Sequence, residues 1–279
     1  MDSTPSSKRK IPKKEVMGEI LVKKIFERDF SKGGQFIYVT GSQGSGKTSL
    51  ALGFATKIIR DNPEELVFWR ESLNAPVQFT KYNGDYQILC ERRFPIDIRE
   101  ITDKRKITKD IHVRYFEGFK QLMLQALPGY LNVVYFKEPS KWTDFIRFLI
   151  VYPGFKSVFL DEMEDVTPEF SGGDEWRRNK LFSEAIKQCR KGCITLIGNS
   201  QNISDCDHRI RKKATMFIFL HGAIVPDESP IKKNAVQSLP IGSAWLDFGH
   251  AEYGQFTFPP FKPIPKSYVV EARDSDDTE

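Results

Sequence analysis

Residues 41–48 read GSQGSGKT, and no other stretch limits the fold of this chain so sharply. It fits the spacing G-x-x-x-x-G-K-[ST], with Gly41, Gly46, Lys47 and Thr48 at the fixed positions. A loop that wraps a phosphate must turn its backbone N–H groups inward, and residues without bulky side chains allow that approach. A helix opening at the end of the loop adds its free amides and the positive end of its dipole. The pattern therefore needs a strand before it and a helix after it. QFIYV at 35–39 is a short apolar β-type run, and SLALGFATKII from Ser49 carries apolar residues at helical spacing until Asp61-Asn62-Pro63 ends it. Gly41, Ser42, Gln43, Gly44, Ser45, Gly46, Lys47, Thr48 and Ser49 are thus the expected cradle for the phosphates of a nucleoside triphosphate. Lys47 is expected to reach the β- and γ-phosphates, and Thr48 to give its hydroxyl to Mg²⁺.

Such a site needs an acidic second half. SVFLDE at 157–162 gives four apolar residues and then two acids. At the C-terminal end of a buried strand, Asp161 would sit beside the glycine loop and hold Mg²⁺ through water. Glu162 would orient and deprotonate the attacking water. The plainer alternative is an exposed acidic turn, since Glu164 and Asp165 continue the run. A third apolar run, CITLIG at 193–198, ends in Asn199-Ser200-Gln201. An amide there, Gln201 being the candidate, can touch the γ-phosphate or the lytic water.

The rest of the chain repeats the alternation. LVFW at 66–69, NVVYF at 132–136 and TMFIFL at 215–220 read as strands. Residues 114–127, KWTDFIRFLIVY and 176–190 read as helices. Short apolar strands between helices predict an α/β fold, a mostly parallel sheet covered by helices on both faces. From 225 the chain turns rich in Pro and Gly, with SAWLDFG and YGQFTFP as a candidate hairpin. The expected organisation is a basic disordered tail at 1–16, an ATPase domain at 17–224, a small β-rich extension at 225–270 and an acidic disordered tail at 271–279.

Charge narrows the partners. Lys and Arg number 42 against 37 Asp and Glu, a net charge of +5. Much of the excess lies between Lys8 and Lys24 and in Arg209, Arg211, Lys212 and Lys213, each readable as a polyanion contact or as a solvated face. No window approaches about 18 uncharged apolar residues, so no membrane-spanning helix is expected. The first residues lack the apolar centre of a secretory signal. Four scattered cysteines, Cys90, Cys189, Cys193 and Cys206, make no disulfide framework, and a reducing, cytoplasmic setting is the default expectation.

The order of these parts resembles the additional-strand, catalytic-glutamate P-loop ATPases. From 157 onward it is similar to the FtsK–HerA class: acidic strand, helix, an arginine–glycine turn at Arg190 and Gly192, a strand, the Ser200-Gln201 pair, and a short loop with Asp205 and Asp207. Arg190 and Gly192 stand one residue closer than is commonest in that class. The resemblance covers residues 34–60 and 155–221. It implies a RecA-like fold, ATP and Mg²⁺ as ligands, and a ring, by expectation a hexamer, around double-stranded DNA. The modest length looks like viral or plasmid ATPases that package or transfer DNA. It also implies an arginine that reaches the neighbouring subunit's γ-phosphate. Arg190 is the first candidate, with Arg209, Arg211, Arg177 and Arg178 as alternatives. Lys104, Arg105 and Lys106, and also Arg211, Lys212 and Lys213, are candidates to face the channel, with a solvated charge cluster as the equal alternative for either set. A second reading is a nucleotide-dependent assembly or switch ATPase acting on a protein, as in filamentous-phage assembly. A small-molecule kinase is a third.

Overall fold

The computed structural model describes residues 14–71, 79, 82, 84–92, 96–100, 113–169, 172–249, 252–259 and 268–272. The expected channel residues Lys104, Arg105 and Lys106, and tail residues 1–13 and 273–279, lie outside them. In chain order the described elements begin with β1 (Lys14–Glu15), α1 (Gly18–Phe26), β2 (Gln35–Thr40), α2 (Lys47–Asp61) and β3 (Leu66–Arg70). Then come β4 (Tyr86–Glu91), β5 (Ile96–Glu100), β6 (Val113–Phe116), α3 (Phe119–Gln125), β7 (Leu131–Tyr135) and α4 (Lys141–Val151). β8 (Lys156–Leu160), α5 (Gly173–Cys189), β9 (Ile194–Ser200), α6 (His208–Arg211) and β10 (Met216–Phe219) follow. The chain ends with α7 (Lys233–Gln237), β11 (Ser243–Phe248), β12 (Glu252–Thr257) and β13 (Tyr268–Ala272).

An 11-stranded sheet in the order β1-β12-β11-β10-β2-β9-β8-β3-β7-β4-β6 organises the molecule. Every pairing from β10 across to β6 is parallel. The central strands are buried on both faces, which is why they read as unbroken apolar runs. In β2, Ile37 and Val39 face a core shared with α1 and α2, while Phe36 and Tyr38 face the core under α4 and α5. Trp69, Phe159 and Tyr135 continue the first layer; Phe68, Val158 and Val134 continue the second. Each such side chain taken fully out of water contributes roughly 1.5–3 kcal/mol.

Two features position the site. β9 lies between β2 and β8, so a further strand separates the glycine-loop strand from the acidic strand. All three run parallel, with Thr40 paired to Ser200 and Leu160 to Gly198. Their C-terminal ends therefore open on one side, where ligands bind in open parallel sheets.

Several expectations need correction. The helix expected over 114–127 divides into strand β6 and the short helix α3. Phe116, Phe119, Leu122, Met123 and Ala126 fall at helical spacing, which hides the break at Glu117-Gly118. The C-terminal hairpin forms as expected, and it joins the main sheet. β11 pairs antiparallel with β10 and carries the main sheet outward. Lys14 and Glu15, expected in the disordered tail, form a parallel bridge pair with β12, and Glu271 and Ala272 pair with β5. Cys193 is not strand core. It occupies a left-handed turn (φ 51°) just before β9 and is half-buried.

Candidate active site

The loop after β2 closes on its own cation. Gly46 takes φ 97°, a left-handed conformation that glycine adopts without strain, and α2 starts at the next residue. The first-turn amides of a helix have no intrahelical acceptors, so this end of α2 faces the loop as a donor surface. Lys47 Nζ donates to the carbonyls of Gly41 (2.7 Å) and Ser42 (3.1 Å). Ser42 in turn donates from its amide and its hydroxyl to the His221 carbonyl, both at 3.0 Å. That ties the loop to the segment after β10. Burial lowers the Lys47 pKa, against the pull of Asp161, Glu164 and Glu162.

The second wall stands at the end of β8. Thr48 Oγ1 donates to Asp161 Oδ2 at 3.4 Å, and Asn199 Nδ2 donates to Asp161 Oδ1 at 3.2 Å. Burial pushes the Asp161 carboxyl up. The Asn199 amide pulls against it, Glu162 adds to it, and Arg70 and Lys47 pull against it. Glu162 occupies the left-handed region (φ 49°, ψ 60°), which a side chain of this kind rarely adopts. Its surroundings hold it there. Arg70, at the end of β3, donates from Nη1 to the carbonyl of Asp161 and, at 3.3 Å, to that of Glu162. Its Nη2 meets Asp165 Oδ2 at 2.6 Å. Met163 packs onto Gly198, where an added Cβ would lie 2.2 Å from the Met163 sulfur. The acid doublet is thus a strained turn clamped by an arginine and seated on a glycine.

The third wall is the end of β9. Thr40 Oγ1 donates to the Gln201 carbonyl at 3.2 Å, and the Tyr38 hydroxyl bonds the Ser200 hydroxyl at 2.6 Å. Together the walls enclose about 370 Å³, lined by Gln43, Gly44 and Gly46 to Ser49, by Asp161, Glu162 and Glu164, and by Asn199, Ser200 and Gln201. Glu164 is pushed up to about 7 by burial, with Asp165, Asp205 and Glu162 adding to the effect.

The residue pattern places Lys47, Thr48, Ser49, Asp161, Glu162 and Gln201 in one site, and the structure brings them to one cavity. Arg190 is elsewhere. Its Nε donates to the Lys32 carbonyl (3.0 Å), and its carbonyl accepts from Gly34, beneath the start of β2. The 7-residue strand β9 separates it from Gln201, about 20 Å at the usual rise. Three residues of the site escape the sequence reading. Asn199, two positions before Gln201 and so on the same strand face, is the amide that meets Asp161. Glu164 passes in the sequence for part of a solvated run. Arg70 does leave a signal, since a charge directly after LVFW must be paired or lie beyond the strand.

The donor set fits a triphosphate with Mg²⁺. Among the described residues, Ser45 Oγ and Asn199 Oδ1 are buried without a hydrogen-bond partner; Asn199 lines the cavity, and Ser45 lies within the glycine loop. A threonine hydroxyl and a carboxylate are the hard oxygen ligands that Mg²⁺ takes, usually keeping waters. Among the described residues, no group of three or more His, Cys, Asp and Glu gathers as an all-protein metal site. No helix among them is long and apolar enough to cross a membrane.

No sequence family and no curated protein matches this chain. Solved structures do. The genome packaging NTPase B204 from Sulfolobus turreted icosahedral virus 2, in complex with sulfate, superposes with a TM-score of 0.53 at 12% identity, over 81% of this chain and 98% of that one. Its complex with AMPPCP gives 0.53 at 13% identity, over 83% and 98%. The bacterial conjugative coupling protein TrwBΔN70 gives 0.55 at 11% identity, over 92% of this chain and 96% of that one. The shared property is the fold, a mostly parallel sheet between helices of the RecA-like P-loop kind.

Proposed function

We propose that this chain is an ATP-hydrolysing motor that moves double-stranded DNA, in genome packaging or in plasmid or viral DNA transfer. The observation that carries the reading is the single cleft joining the Lys47 loop, the Thr48–Asp161 pair and the Glu162 turn. It sits on the fold of a genome packaging NTPase and a conjugative coupling protein.

The roles follow from position. Gly41 to Ser49 wrap the phosphates, and Lys47 leaves its loop carbonyls for the β- and γ-oxygens. Thr48 and Asp161 would hold Mg²⁺, which when bound would offset the negative charge of the phosphates. Glu162 accepts the proton of a water that attacks the γ-phosphorus as the bond to the β-phosphate oxygen breaks, giving ADP and phosphate. The Gln201 amide, beside Asn199, orients that water. Arg190 lies away from its own subunit's cleft, and in this reading it acts across an interface in a ring, a hexamer. There it would stabilise the charge that develops in transfer. Mixing Arg190→Ala subunits with Lys47→Ala subunits tests this. Recovered ATPase supports the role, and no recovery removes it.

Motor action is tested by displacement of a triplex-forming strand from duplex DNA. ATP-dependent displacement, lost in Glu162→Gln, is expected. Hydrolysis without displacement would favour an assembly or switch ATPase acting on a protein.

A further inference from the structure

We propose that a basic groove between α5 and α6 is where this protein grips the phosphodiester backbone of DNA; the inference rests on the motor reading above. The groove encloses about 300 Å³ and is lined by Lys180, Lys187, His208, Arg209, Lys212 and Lys213, with Glu184 as the acid among its lining residues. Its cations come from two places in the chain. Trp176, Lys180, Glu184 and Lys187 recur at helical spacing along one side of α5. His208 and Arg209 belong to α6, and Lys212 and Lys213 follow it directly.

The side chains divide into a fixed rim and a free set. Arg209 is held by Asp207, from Nε at 2.9 and 3.1 Å and from Nη2. Its guanidinium lies 4.9 Å from the centre of the Trp176 ring, and Lys180 Nζ approaches that ring at 5.8 Å. Trp176 is 48% exposed, so its ring is open to these cations. Here it holds two cations at the groove edge. Lys180, Lys187 and Lys212 are exposed. Among the described residues, Lys187, Lys212 and Lys213 make no side-chain hydrogen bond or ion pair. Several unpaired ammonium groups about one groove repel each other until a polyanion arrives. Ammonium groups are point charges without a planar fork, so they bind phosphates with little regard to sequence.

The groove is also wired to the nucleotide cleft. Asn202 to Asp207 joins Gln201, on the cleft wall, to the first residue of α6. That segment is braced throughout. Ser200 Oγ donates to the Asn202 carbonyl at 2.9 Å, and Asn202 donates to Asp205 Oδ2 from its amide and its side chain at 3.0 and 3.1 Å. Asn179 of α5 donates to Asp207 Oδ2 at 3.2 Å. A change at the γ-phosphate end of β9 therefore reaches the lysines through a short, cross-linked path, as a motor that alternates grip and release requires.

The test is fluorescence anisotropy of a short labelled DNA duplex, and of the same strand alone, with the full chain and a non-hydrolysable ATP analogue. The variant carries Lys180→Gln, Lys187→Gln, Lys212→Gln and Lys213→Gln, with its melting curve as the folding control. Duplex affinity is expected to fall about tenfold or more at moderate salt, and the slope of log K against log salt to flatten by about 0.9 for each phosphate that is no longer neutralised. Lys180→Gln/Lys187→Gln alone, both exposed on α5, should give a smaller loss in the same direction if the fourfold variant does not fold. Wild-type affinity and slope in both variants would overturn the groove while leaving the motor reading intact. Loss of labelled-ATP affinity with DNA binding unchanged would assign the lysines to a neighbour's nucleotide, and would overturn it too. Absence of DNA affinity in the wild type would overturn the motor reading itself.

Discussion

The hydroxyl of Thr48 donates to Asp161 Oδ2 at 3.4 Å, across 113 positions of the chain. Neither residue is part of a site alone; together they form the hard-oxygen corner of the cleft, with Lys47 at its side. Lys47→Ala removes the cation and leaves the Gly41 and Ser42 carbonyls without it. Loss of a charge-assisted hydrogen bond costs about 1.5–3 kcal/mol, so Mg·ATP affinity should weaken by about ten- to over a hundredfold. Isothermal titration reads this, and unchanged affinity would remove Lys47 from the phosphate site.

Glu162→Gln keeps the shape of the acidic turn and removes its base. Turnover should fall by about 10²–10⁴-fold, while nucleotide affinity stays close to that of the wild type. Phosphate release under saturating ATP measures the first, and titration with a labelled nucleotide the second. Full turnover in this variant would mean that another group, such as Glu164 in the same cleft, takes the proton.

Arg70 is a positioning residue. It touches the Asp161 and Glu162 carbonyls and Asp165. Arg70→Ala should lower kcat about 10- to 100-fold by loosening a turn that must hold Glu162 in geometry, with KM for ATP moving much less. Arg70→Lys should not restore it, because one ammonium cannot reproduce a planar fork. Equal changes in kcat and KM, or recovery with lysine, would point to a general electrostatic effect instead.

Lys156 is a buried lysine at the start of β8, and it donates to the Tyr152 carbonyl. Burial lowers its pKa from 10.5 to about 8, with Cys193, Cys189 and Glu65 pulling the other way. Below about 8 both folded and unfolded chains carry this charge, and the folded state bears the cost of burying it. Between about 8 and 10.5 the folded state has released the proton and the unfolded state still binds it. Stability therefore rises with pH across that window, by at most about 1.4 kcal/mol per pH unit. Denaturant unfolding should show this rise in the wild type relative to Lys156→Met, which has nothing to titrate. Parallel curves for the two proteins would exclude it.

The site is legible in the sequence where its chemistry is local. A glycine loop between an apolar run and a helix, and an apolar run ending in two acids, announce themselves because phosphate and magnesium each dictate a short pattern. What joins them is not local. That β9 separates β2 from β8 follows from strand pairing, which no short window encodes, and the resemblance rather than the residue pattern supplies it. The charge of Arg70 directly after LVFW is a signal, but what it clamps stays hidden because its partners lie at 161, 162 and 165. The Arg28–Glu65–Ser157 network, which pins the end of α1 to β8, is hidden for the same reason. The division of 114–127 fails differently, since an apolar spacing of three and four runs through a strand, a glycine and a helix. The hairpin at 243–257 is visible as a hairpin, but nothing in it says that the open side of β10 is what it would pair with.

The most direct measurement of motor function is phosphate release by the full chain, followed with Mg·ATP across a titration of linear duplex DNA. Hydrolysis should rise with DNA in the wild type and be all but lost, with and without DNA, in both Lys47→Ala and Glu162→Gln. Hydrolysis indifferent to DNA, or retained when either residue is changed, would contradict a DNA motor driven from this cleft.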